Sequence, residues 1–189
     1  MSQPSPSPET PQAPLWFERK FDFSFPVELF PNLCIRLRGT PARLEDFTHG
    51  VDPKILTARP SETSDQRKVE KWSAQEHAGH LLDLESLWIA RTVDFVGGSN
   101  TLTPADLTNR KTHEANHNSQ PIAGILKNFR LERLTLLDRL KDLSGSVLSR
   151  TLLHPRLQQP MRLVDHLFFV AEHDDHHLAR IWQLRPQGC

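Results

Sequence analysis

The strongest constraint on the fold is a helix whose start, apolar stripe and stop follow one another in the chain. Ser73-Ala-Gln-Glu76 is a capping box, in which the serine side chain accepts from the third helical N–H and the glutamate reaches back to the N-cap. Leu81, Leu84, Leu87, Trp88 and Phe95 then return to one side at helical spacing until Gly97 and Gly98 end the pattern. A second stripe, Ile122, Leu126, Phe129, Leu136, Leu140 and Leu143, starts after residues 119–121, is broken only by Arg133 and stops at Ser144-Gly-Ser146. In a third, Pro160 opens the helix, and Leu163, Leu167, Val170, His177 and Ile181 share a face. Residues 27–49 are also helix-like, but Thr40 followed by Pro41 reads as an N-cap and first helical residue, which predicts a broken first helix. No segment alternates with the period of a strand, and there is no internal repeat. The expected fold is all-α, with four helices of bundle length joined by polar connections at residues 50–71 and 99–119.

A chain of 189 residues is long enough for one domain with a sizeable core, expected over residues 15–189. The Pro- and Ser-rich residues 1–14 read as a disordered lead-in. Lys plus Arg and Asp plus Glu both number 23, and no block of like charge stands out, so neither nucleic acid nor a membrane is an expected partner. The N-terminus lacks the basic-then-apolar order of a secretory signal, and two cysteines, Cys34 and Cys189, cannot make a disulfide framework, which suits a cytoplasmic protein. Cys34 reads as a small core residue, since no histidine is placed beside it by local spacing. Ten histidines and no tyrosine make imidazole the source of any chemistry.

That chemistry concentrates in "VAEHDDHHLARI", residues 170–181. His173 and His177 are four apart and project from one helix face with Cβ atoms about 6 Å apart, a chelating separation. The alternative is a patch of hydrogen-bonded core histidines, and a third ligand from another element decides between them. His77 and His80 both border the stripe of the Ser73 helix, about 60° apart, and spacing does not choose between them. His77 can pack back on Trp72 as a hydrophobic staple; His80 is either a ligand or a core histidine bonded to a carboxylate such as Glu76. Glu76, Asp83 and Asp174 can accept from the outer nitrogens of ligands, although composition favours plain helix-surface carboxylates. His166 lies two turns before His173, about 10 Å away, too far to share an ion. His176 is expected at a rim or facing solvent; His113 and His117 lie on the long connection, as part of a functional lid or, the favoured reading, of a plain exposed loop, while His49 and His154 carry no argument.

"KWSAQEHAGHLLDLESLW" and "VAEHDDHHLARI" resemble the first and last signatures of the DinB/YfiT-like superfamily. The likeness spans about residues 27–185, including "LTPADLTNRKTHEAN" and "HPRLQQPMRLVDHLFF". It implies an up-down-down-up four-helix bundle, often a homodimer, with three histidines at one end holding nickel, zinc or a similar divalent ion such as iron or manganese. Carried over residue by residue, the ligands are His80, His173 and His177. Characterised relatives include thiol-dependent S-transferases and a mycothiol-dependent isomerase, so the resemblance also implies a small-molecule substrate and a low-molecular-weight thiol. Two function classes follow. One is a metal-dependent transferase, isomerase or hydrolase acting on small electrophiles, which needs an open pocket over the ion. The other is a non-catalytic metal-binding bundle in stress response or protein interaction, which needs a closed and fully satisfied site.

Overall fold

The computed structural model describes residues 14–60 and 71–185, so the expected disordered tail lies, apart from Pro14, outside the described residues. In chain order the elements are α1 (Phe30–Thr48), α2 (Pro53–Thr57), α3 (Ala74–Gly97), α4 (Arg110–Glu114), α5 (Ile122–Leu140), α6 (Gly145–Leu148), β1 (Thr151–His154), β2 (Gln159–Arg162) and α7 (Leu163–Leu184), with a 3-10 turn at Trp16–Glu18 ahead of them. The capping box forms as read: Ser73 accepts from Glu76 N–H, Glu76 reaches back, and Gly98 closes α3 at φ 74°.

The long helices α1, α3, α5 and α7 make a square in which α1 packs on α7 and α5, and α3 on α5 and α7. Side-chain pairs give the directions. Arg36 with Glu172 and Arg43 with Asp175 run α1 and α7 the same way. His77 with His177 and His80 with His173 set α3 against α7, and Leu37 with Arg133 and Glu45 with Arg130 set α5 against α1. This is the up-down-down-up order. Among the described residues no helix is long and apolar enough to cross a membrane.

Two apolar layers fill the square. One gathers Leu33, Leu37, Trp88, Phe95, Leu136, Leu140, Leu167 and Val170, and the other Leu44, Leu81, Ile125, Phe129, Leu178 and Ile181. Each long helix places one polar residue between them: Thr40, Glu85, Arg133 and Asp174, all fully buried. Arg133 donates through Nε and Nη2 to Glu85, through both Nη atoms to Asp174, and through Nη1 to the Leu37 carbonyl at 3.2 Å. Thr40 Oγ1 adds a bond to Asp174 at 2.8 Å. Burial opposes the Arg133 charge, but Asp174 and Glu85 outweigh it and hold the guanidinium protonated; burial pushes the Glu85 carboxyl up to about 7 against the pull of Arg133.

This layer corrects the expected break in the first helix, because α1 is continuous through Thr40 and Pro41. Pro41 has no N–H for the carbonyl four residues back, which is that of Leu37. Arg133 supplies the missing donor from across the bundle, so the proline costs the helix no orphaned acceptor. Thr40 serves the buried network rather than a cap.

The connections hold more structure than expected. Asp52 caps α2 by accepting from Lys54 N–H, with Pro53 at the first position, and α4 lies within the second connection. The expected absence of strands is also corrected, since β1 and β2 pair antiparallel and Pro160 lies in β2 opposite Leu153 instead of opening α7. Leu153 spends its backbone groups on the other side, donating to Asn100 O and accepting from Leu102 N, so its partner needs no N–H toward it. α7 begins at Leu163, where Asp165 accepts from the N–H of the Arg162 N-cap.

Candidate metal centre and cavity

Antiparallel packing of α3 on α7 brings His80, His173 and His177 together at one end of the bundle, with one ring nitrogen of each within 4.8 Å of the others and all three buried. The surrounding bonds fix which nitrogens face inward. Thr112 Oγ1 donates to Asp83 Oδ2 at 2.9 Å, so its lone pair accepts from His80 Nδ1 at 3.0 Å. His80 therefore carries its proton on Nδ1 and keeps the Nε2 lone pair for the cluster. His177 Nδ1 pairs with His77 Nδ1 at 2.9 Å, while His177 Nε2 faces His173 Nε2 at 3.2 Å. His173 Nδ1 is buried with no hydrogen-bond partner. His80 thus turns one lone pair inward beside the facing Nε2 atoms of His173 and His177, and three such imidazoles are a donor set that suits a divalent transition ion.

Burial pushes the imidazoles of His77, His173 and His177 well below their ordinary range, helped by the neighbouring rings. Burial takes His80 to about 3 even though Asp83 pulls the other way. All four rings are neutral at pH 7, the protonation state in which an imidazole has a lone pair to donate.

Asp83 is the support that the sequence hid. The expectation of a surface carboxylate fails for Glu76, Asp83 and Asp174, all three buried: Asp174 belongs to the Arg133 layer, and Asp83 accepts from Thr112 and from His117 Nε2 at 2.8 Å. His117 is correspondingly a buried residue, not part of an exposed loop, whereas His113 is exposed. Glu76 closes the capping box and pairs with Arg59, so the expected His80 bond to Glu76 gives way to Thr112. His77 does meet Trp72, edge to face at 5.5 Å. His166 is buried beside Trp88 and Phe95, and His176 is half-buried at the cavity rim near Trp16. Cys34 is half-buried with its thiol pushed up to about 11 by burial, consistent with a packing role.

His117 reaches Asp83 by lying flat on Gly79, where a Cβ would stand 2.2 Å from its Cγ. Gly79→Ala is expected to cost about 1–3 kcal/mol as overpacking, a fall in Tm of roughly 3–10 °C in thermal melts. A variant melting with the parent would show that the His117 ring moves aside freely.

The histidines floor a cavity of about 200 Å³ that opens to the surface. Leu84, Leu87, Trp88 and Phe169 wall it, Trp16 and Phe17 cover one side, and Arg91, His154 and Arg156 line the far end.

With this geometry in hand, comparison with known proteins gives the following. A DinB superfamily profile matches residues 36–181. Among solved structures, YfiT from Bacillus subtilis, described as "a probable metal-dependent hydrolase with an unusual four-helix bundle topology", superposes with TM-score 0.73 at 19% identity, covering 88% of this chain and 91% of that one. The mycothiol-dependent maleylpyruvate isomerase superposes with TM-score 0.60 at 12% identity, covering 82% of this chain and 60% of the other. No curated protein sequence matches.

Proposed function

Because the chain belongs to the DinB superfamily, we propose that it is a metal-dependent enzyme in which His80, His173 and His177 hold one divalent ion, zinc or nickel, and that it acts on a small electrophile with water or a low-molecular-weight thiol as nucleophile. The observation that carries this reading is the open cavity directly above three convergent, neutral imidazoles, since a purely structural site closes over its ion. The descriptions of the two structural neighbours, one metal-dependent and one mycothiol-dependent, support the same class.

A divalent ion there supplies the acidity that generates a nucleophile near neutral pH from water or a thiol. The protein's own residues do the rest. Thr112 and Asp83 hold the His80 proton at Nδ1 and so aim Nε2 inward, and His77 steadies the outer nitrogen of His177. Trp16, Trp88 and Phe169 line the cavity and offer flat apolar surface to a substrate body.

Elemental analysis of the purified chain is expected to find about one divalent ion per protein. His80→Ala, His173→Ala and His177→Ala should each lose it, while His77→Ala should retain it with roughly 10–100-fold weaker affinity. Loss in His77→Ala with retention in His80→Ala would overturn the ligand assignment on α3.

A further inference from the structure

Among the described residues two arginines are deeply buried, and one of them, Arg133, is matched to the carboxylates of Glu85 and Asp174. The other, in the cavity wall, is not. Arg91 is 1% exposed and lines the cavity, yet among the described residues it makes no ion pair; its Nε donates to Thr103 O. The carboxylate acting on it through space, Asp94, already accepts from Thr103 N and Oγ1. Arg156 lies over the rings of Trp16, Phe17 and Phe169, and its Nη2 is buried with no hydrogen-bond partner. Asp106 at the mouth is exposed and turned into its own loop, accepting from Thr108 and Arg110 N–H.

His154 sharpens the point. Its Nδ1 accepts from Arg156 N at 3.2 Å and Leu157 N at 3.1 Å, so its proton sits on Nε2. That N–H faces Arg91 Nη1 at 3.2 Å, donor against donor. Burial takes the His154 pKa down to about 3, takes the Arg91 pKa down to about 10 against the pull of Asp94, and lowers that of Arg156, which is the behaviour of cationic groups whose burial outweighs their counter-charge. A buried donor without an acceptor costs about 1–3 kcal/mol, so three converging at one place call for an acceptor from outside the chain.

We infer that Arg91, His154 and Arg156 form an anion subsite, and that the cavity takes a small organic anion with its carboxylate at these donors and its apolar body between Trp88, Phe169 and Trp16. Guanidinium forks match a carboxylate geometrically, and the apolar walls favour an organic acid over an inorganic ion. Calling that anion the substrate rests on the enzyme reading above; the subsite itself stands on the three donors.

The test uses the full chain at pH 7.5, as purified and after chelator treatment, titrated calorimetrically with benzoate, benzamide and inorganic phosphate. Benzoate should bind at least tenfold tighter than the isosteric benzamide and tighter than phosphate, with or without chelator. Arg156→Gln and Arg91→Gln should each weaken benzoate at least tenfold and leave benzamide unchanged, with Arg156→Lys in between. Arg156 is half-buried, so its variants report even if Arg91→Gln fails to fold. Equal binding of benzoate and benzamide, indifference to Arg156→Gln, or loss of benzoate in His80→Ala but not in the arginine variants would overturn the subsite. Phosphate binding tighter than benzoate would overturn the organic ligand class. Arginine-dependent benzoate binding in a chain that fails the elemental analysis would leave the subsite standing while the metal reading falls.

Discussion

Acidification from pH 7.5 to 5.5 is expected to unfold the chelator-treated protein, in a steep transition followed by circular dichroism. Six imidazoles, those of His77, His80, His154, His166, His173 and His177, are buried, and burial depresses the pKa of each, with His80 and His154 at about 3. An unfolded histidine titrates near 6.5. At pH 7.5 neither state binds the proton, and the stability associated with these groups is fully present. As pH falls through 6.5 the unfolded chain takes up protons that the folded chain refuses, so stability is lost with falling pH. At pH 5.5 each such group costs about 1.4 kcal/mol, on the order of 8 kcal/mol for the set, against a total stability of about 5–15 kcal/mol for a typical domain. Glu85 works the other way, since burial raises its pKa and its proton stabilises the fold below neutrality, but it is one carboxyl against six imidazoles. His166→Leu removes one titrating ring outside the metal cluster and should move the acid midpoint downward. A transition that begins only below pH 4 would mean that carboxylates alone drive it and that these histidines reach solvent.

The same histidines show what could be read from the chain. His173 and His177 share a face by helix geometry, and the capping box at Ser73 fixes where α3 starts, so the bundle and one half of the cluster follow from local patterns. Spacing does not separate His80 from His77; the family signature does, and in the fold His80 bonds Thr112 and lies with His173 and His177, while His77 bonds His177 from outside that group. What stayed hidden depends on partners far away in sequence. Asp83 looks like any helix carboxylate until His117, 34 residues on, folds over Gly79 to meet it. The hairpin that carries His154 and Arg156 to the cavity is short and starts its second strand with a Gln-Pro pair, which local rules assign to a helix start. Pro41 marks a helix break by every local rule, and the donor that Arg133 brings to the Leu37 carbonyl from 96 positions away removes the reason for one.

That long-range bond makes Arg133 the residue whose loss should cost most. Arg133→Met removes a methylene-lined cation of similar reach and leaves Glu85 and Asp174 buried and facing one another without a counter-charge, a defect worth about 3–5 kcal/mol. It also strips the Arg133 donor from the Leu37 carbonyl, which Pro41 cannot replace. Thermal melts should therefore show Tm falling by roughly 10–20 °C, at about 2–4 °C per kcal/mol for a chain of this size. Replacing the charged layer as a whole should behave differently: Glu85→Leu and Asp174→Leu added to Arg133→Met remove the stranded charges and should recover much of the loss. A second pair isolates the carbonyl. Pro41→Ala restores an N–H to α1 at the position facing Leu37 O, which Arg133 already satisfies in the parent chain, so there it should change stability little. In the Arg133→Met background the same substitution should recover about 1 kcal/mol or more, because a buried acceptor regains its bond. Equal effects of Pro41→Ala in the two backgrounds would show that Arg133 and Pro41 are uncoupled, and the continuity of α1 would then need another cause.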